Sequence, residues 1–109
     1  MKNTKRGEVY WVNLDPSIGK EIKKTRPALI ISNDLANQYS SRVIVAPITS
    51  NIQNLFPFEV AIELNGKKGK IMLDQIRSID KIRLGKKIDT CDLATIRLVN
   101  RALEIVLAL

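Results

Sequence analysis

The sequence predicts a mainly β protein with one α-helix: a small, strongly bent antiparallel sheet or barrel carrying the helix at its C-terminus. Three observations predict it. Short runs rich in β-branched and aromatic residues recur along the 109 residues, separated by turn signals. One of them, "FEVAIEL" (58–64), alternates cleanly and runs straight into Asn65-Gly66, a strong hairpin signal. Only the last stretch, Asp92 to Leu109, drops glycine and proline and takes up helical spacing. No internal repeat, low-complexity tract or boundary divides the chain, so 1–109 reads as one domain.

Each element has its own warrant. "EVYWVNL" (8–14) reads as a first strand, buried on both faces for much of its length, and ends at Asp15-Pro16. Tyr10 and Trp11 are accordingly expected in the core. Residues 15–25, "DPSIGKEIKKT", form a loop broken by Pro16 and Gly19 and solvated by Lys20, Lys23 and Lys24. "RPALIIS" is the second strand, with Pro27 at its start, where a missing N–H does least harm. "NDLANQYS" is polar and turn-prone, with room for one helical turn. "RVIVAPITS" is a central third strand whose Pro47 signals a bulge or an edge. After the hairpin, "KIMLDQIRSID" returns as a kinked fifth strand, and "KKID" adds a short one. In the terminal helix, capped by Asp92 or Thr90, Arg97, Asn100, Arg101 and Glu104 share one sector. Its apolar residues cover more than half the circumference, wider than one sheet face requires, which predicts contact with another chain.

Composition narrows the function classes. Eighteen Lys and Arg against eleven Asp and Glu give +7, a charge that attracts polyanions, nucleic acids first. Eight of the cations lie between Lys67 and Lys87, opposed only by Asp74 and Asp80, a block of +6, while the terminal helix is neutral. With aromatics at 5%, phosphate contact rather than base stacking is expected to dominate binding. Histidine is absent, which removes the usual metal ligand and the usual base near neutral pH. No metal or other cofactor is expected. Cys91, the only cysteine, rules out an internal disulfide and reads as a packing residue. No signal peptide or membrane-length apolar run is present, so a soluble, cytoplasmic protein without membrane contact is expected.

The residues that carry chemistry sit at strand ends. Gly19, Glu21, Arg26 and Pro27 make G-x-E-x-x-x-x-R-P directly before an apolar strand. "APITS" ends the third strand in Thr49 and Ser50, and Gln75 is expected on the fifth. If the second and third strands are antiparallel neighbours, the start of one lies beside the end of the other, and Arg26 meets Thr49.

These blocks, "RGEVYWVNLDPSIGKEIKKTRPALIISND", "VIVAPITSN" and "LDQIRSIDKIRL", resemble the MazF/PemK family of toxins from type II toxin–antitoxin pairs in order and spacing, over nearly the whole chain. The resemblance implies an SH3-like barrel with a C-terminal helix, a homodimer, and metal-independent, sequence-specific endoribonuclease activity on single-stranded RNA such as mRNA. It also implies a cognate antitoxin whose disordered acidic segment occupies the RNA groove. By position it makes Arg26 and Thr49 catalytic, matches Glu21 to the family's loop acid, and puts Gln75 in the strand lining the RNA site. Lys20, Lys23, Lys24, Ser50, Asn51, Lys67, Lys68, Lys70 and Arg77 are the further candidates for RNA contact. One departure stands out: many relatives have glycines where this chain has Ile22, Lys23 and Lys24.

The chemistry suits a chain lacking histidine, because RNA carries its own nucleophile. Attack of the 2′-OH on phosphorus gives a 2′,3′-cyclic phosphate and a 5′-OH end. The protein then has to supply geometry and charge stabilisation. Two other readings of the same residues stay open: a barrel of this type that poisons gyrase by contact alone, and an RNA-binding barrel without activity.

Overall fold

The computed structural model describes residues 3–14 and 25–109. Among these, seven strands form one antiparallel sheet: β1 (Glu8–Asn13), β2 (Thr25–Ile30), β3 (Arg42–Thr49), β4 (Glu59–Leu64), β5 (Lys67–Met72), β6 (Arg77–Asp80) and β7 (Leu84–Thr90). Helix α1 (Asp34–Tyr39) joins β2 to β3, and helix α2 (Leu93–Leu107) ends the chain. The strands run in the order β4-β5-β3-β2-β1-β7, with β6 also paired to β3. The expected bent sheet with one long terminal helix is what the chain adopts.

β3 organises it. One edge pairs with β2 through Ile30↔Val45 to Ala28↔Pro47. The other pairs first with β6, over Arg42 to Val45, and then with β5, through Ile48↔Ile71 and Thr49↔Lys70. Pro47 sits at that change of partner, where a residue without an N–H removes least from either ladder. The proline marks neither an edge nor a bulge but a corner, where the sheet curls.

Alternation along β1, β2 and β3 builds two cores, one on each face. Val9, Leu29, Ala46 and Ile48 join Val60, Ile71 and Leu73 under Val99 and Ala102 of α2. Tyr10, Val12, Ala28, Ile30, Val43 and Val45 join Ile79 and Leu84 inside the curl. Helix α2 contributes Val99, Ala102, Leu103 and Val106, a stripe at i, i+3, i+4 and i+7. Asp92 caps its start by accepting from the Thr95 amide at 2.8 Å. Its other apolar side, with Leu98 and Ile105, is about half exposed, and Leu109, beyond the Ala108 cap, is more so.

Five expectations shift. "NDLANQYS" makes a full short helix, because Asn33 caps it by accepting from the Ala36 amide at 2.8 Å. The two-residue turn Asn65-Gly66, both with positive φ (51° and 79°), starts the return strand at Lys67 rather than Lys70. That strand is then interrupted by a 3-10 turn, Leu73–Gln75, in which fully buried Leu73 anchors the break. The last strand is longer than "KKID", seven residues instead of four. Finally, β1 is not covered on both faces: Tyr10 is buried, but Trp11 is 43% exposed.

Glu8 ties β1 to its neighbours. It pairs with Lys87 of β7 at 2.8 Å and accepts from the Lys5 amide at 2.7 Å and from the Tyr10 hydroxyl at 3.0 Å. Burial pushes its carboxyl up, but the Lys87, Lys5 and Tyr10 hydrogen bonds outweigh burial and hold it below the ordinary carboxylate value. A depressed acid stabilises the fold above its unfolded pKa and loses that contribution as pH falls through the folded one. Glu8→Gln is therefore expected to lower Tm near neutral pH. The gap from wild type should close below about pH 4, as thermal melts at a series of pH values will show; a gap that does not change with pH would contradict the assignment.

Candidate functional site

Arg26 opens β2, opposite Val12 of β1. The antiparallel β2–β3 ladder ends at Ala28↔Pro47, and Arg26 and Thr49 each lie two residues beyond that pair, at the same end of the two strands. The two line one cavity of about 460 Å³, within the range of about 300–1,000 Å³ common for ligand pockets. Trp11, Thr25 and Pro27 form one wall, Ser50 and the β4–β5 hairpin with Asn65, Lys67, Lys68 and Gly69 another, and Ile48, Leu64 and Ile88 supply apolar surface.

The cavity is cationic. Among the described residues Arg26, Lys67 and Lys68 line it and no carboxylate does. Among the described residues none of the three side chains makes an ion pair or hydrogen bond. Three uncompensated cations around one recess favour an anion there. Thr49 Oγ1 accepts from the Asn51 amide at 3.2 Å, which leaves its hydroxyl proton to be donated elsewhere. Asn51, which does not line the cavity, accepts from the Gln53 amide at 3.2 Å, so its side-chain carbonyl serves the loop.

A glycine makes this arrangement possible. A Cβ at Gly69 would fall 2.9 Å from the Thr49 carbonyl oxygen. Only a residue without one lets β5 close on β3 at the end that carries Thr49. In the sequence Gly69 falls just before the expected fifth strand, with no sign of which backbone it has to admit.

The remaining candidates divide. Lys70 does not reach the cavity: it is 8% exposed, pairs with Glu59 at 3.0 Å and donates to the Asn54 carbonyl. Glu59 also accepts from the Phe56 amide at 3.0 Å, so this pair staples the β3–β4 connection. Lys68 and Lys70 share a face of β5, two residues apart, but the Glu59 partner holds Lys70 back, a distinction that charge counting misses. Gln75 lies in the 3-10 turn rather than on a strand, donating to Met72 Sδ at 3.5 Å, outside the cavity. Arg77 is also outside it and donates to the Leu14 carbonyl at 2.9 Å, as Arg83 does to the Asn13 carbonyl at 3.2 Å. The two arginines fix the end of β1. Lys20, Glu21, Lys23 and Lys24 lie outside the described residues. The +6 block thus spreads over several faces, with only Lys67 and Lys68 at the cavity. Burial first, then Asp89 and Asp92, pushes the Cys91 thiol up to about 11, so it stays protonated at neutral pH, in keeping with a packing role. Trp11, expected in the core, stands in the cavity wall.

Gly69→Ala is expected to cost about 1–3 kcal/mol in urea unfolding, the usual penalty of overpacking against backbone. Unchanged stability would mean that the strands close in another way.

Comparison with known proteins extends the picture. Residues 5–107 match the family described as PemK-like, MazF-like toxin of type II toxin–antitoxin system. The chain is 41% identical to Endoribonuclease EndoA of Bacillus subtilis, over 96% of this chain and 95% of that protein. Among solved structures it is similar to an endoribonuclease in complex with its cognate antitoxin from a mycobacterial species, with a TM-score of 0.83 at 27% identity, over 97% of this chain and 96% of that one. MazF of Deinococcus radiodurans superposes with the same TM-score of 0.83 at 26% identity, over the full length of both chains.

Proposed function

The chain belongs to the PemK-like, MazF-like toxins of type II toxin–antitoxin systems, and on that premise we propose that it is a sequence-specific endoribonuclease acting on single-stranded RNA, mRNA included, at the Arg26–Thr49 cavity. The observation that carries the reading is the shared recess. A guanidinium and a hydroxyl from adjacent strands line it together with two lysines that, like the recess itself, have no acid beside them among the described residues. Such a set suits a phosphodiester.

In this reading the 2′ oxygen attacks phosphorus, the bond to the 5′ oxygen breaks, and the ends are a 2′,3′-cyclic phosphate and a 5′-OH. The Arg26 fork donates to the non-bridging oxygens, where charge accumulates, and Pro27 limits the backbone that aims it. Thr49 donates its free proton to one of those oxygens or orients the 2′-OH. The 2′ proton leaves to Glu21 or to solvent, and the departing 5′ oxygen takes one up. Arginine remains protonated, so Arg26 is no base. Lys67, Lys68, Ser50 and Asn51 hold flanking nucleotides. The substrate's own nucleophile makes a metal unnecessary to this scheme.

The working form is a homodimer joined through exposed Leu98 and Ile105 of α2 and Leu109 just beyond its cap. It is held in check by an antitoxin whose acidic segment competes with RNA for the cations. Cytoplasmic residence fits this target, and no described helix is long and apolar enough to cross a membrane.

The decisive test incubates purified protein with a long single-stranded RNA in EDTA. Discrete fragments with 5′-OH ends are expected, and Arg26→Ala should lower the rate by about 100- to 1,000-fold, as loss of an oxyanion donor does, with Tm unchanged. Intact RNA would favour the gyrase-poison or RNA-binder readings; full activity in Arg26→Ala would remove this mechanism. For the dimer, Ile105→Lys is expected to halve the mass measured by light scattering. A wild type and variant that are both monomeric would refute the interface.

A further inference from the structure

We propose that Trp11 is a stacking platform for the base of a nucleotide flanking the scissile phosphate. The inference rests on the endoribonuclease reading above and assigns a residue that neither charge nor motif singles out. It follows from an asymmetry within β1. Val9 and Trp11 share a face by alternation, yet Val9 is completely covered by the cluster that includes Val99 and Ala102 of α2, whereas Trp11 is 43% exposed. The cover ends between them, and the cavity begins.

The neighbours of Trp11 hold it there. It pairs with Pro27, the residue directly after Arg26, so the indole and the guanidinium arise from adjoining positions of one ladder. On the opposite edge β7 presents Gly85, where a Cβ would stand 3.1 Å from the Trp11 carbonyl oxygen and 3.4 Å from its Cβ. The strand carrying the indole is thus gripped from both sides while the ring borders a recess whose charges, among the described residues, are all positive. A half-bare tryptophan in a purely structural position exposes apolar area to no benefit. Beside phosphate-binding cations it offers a π face to whatever base follows the backbone in. Stacking of this kind accepts any base, so Trp11 fixes the nucleotide's position and leaves sequence choice to other groups.

The test uses the full chain and exploits the fact that Trp11 is the only tryptophan, so its emission reports this position alone. The probe is a single-stranded RNA oligonucleotide spanning a mapped cut site, with a 2′-deoxy sugar at the attacking position to prevent cleavage. Variants of the probe carry an abasic residue at each flanking position in turn. Binding of the full probe should quench Trp11 emission. One abasic position should remove the quenching and weaken binding by roughly 5- to 100-fold. Trp11→Ala should bind that abasic probe and the full probe equally, while Trp11→Phe keeps the discrimination. A residue that merely supports the fold would weaken both probes alike. Unchanged emission at saturation, or equal abasic penalties in wild type and Trp11→Ala, would overturn the proposal while cleavage of unmodified RNA continued. If unmodified RNA is not cleaved at all, the reading beneath it fails instead.

Discussion

The register between β2 and β3 decides what this molecule can do. Because the two strands run antiparallel with Ala28 opposite Pro47, the first charged residue of one arrives beside the last hydroxyl of the other. Neither side chain has any reason to be near its partner in sequence, where twenty-two peptide units and a helix intervene. A slip of one residue would turn Arg26 or Thr49 to the other face and bury a cation in a core. The apolar alternation of Leu29, Ile30, Val45 and Ala46, all fully buried, forbids that slip. Core packing and site geometry are therefore one constraint, and Gly69 extends it to β5 by letting a third backbone close on Thr49.

Charge is distributed with the same economy. Several cations of the basic stretch are committed inside the molecule: Lys70 to Glu59, Lys87 to Glu8, Lys81 to the Asn37 carbonyl, and Arg77 and Arg83 to the end of β1. What remains uncommitted at the cavity is Arg26, Lys67 and Lys68. A field built from few unpaired charges in a recess is more directional than a basic surface, and it suits a site that must hold one phosphate in one place.

Much of this was legible beforehand. Alternation gave the faces of β4, the Asn65-Gly66 pair gave the hairpin, and spacing gave α2, with Asp92 as one of two cap candidates. The meeting of Arg26 and Thr49 followed from antiparallel pairing alone. Other features depend on information that a linear pattern does not contain. Lys68 and Lys70 look alike as letters, and only the position of Glu59 across the hairpin separates a surface cation from a buried one. Trp11 looks like core because its neighbours are; its exposure depends on where α2 stops covering the sheet. Gln75 and Leu73 break a run that reads as continuous strand, because Leu73 is drawn fully into the core.

Co-crystallisation with an RNA oligonucleotide that carries a 2′-deoxy sugar at the attacking position measures the convergence itself. One phosphate should place non-bridging oxygens within about 3 Å of both an Arg26 guanidinium nitrogen and Thr49 Oγ1. A backbone that crosses elsewhere, with Arg26 and Thr49 sharing no phosphate, would contradict the account.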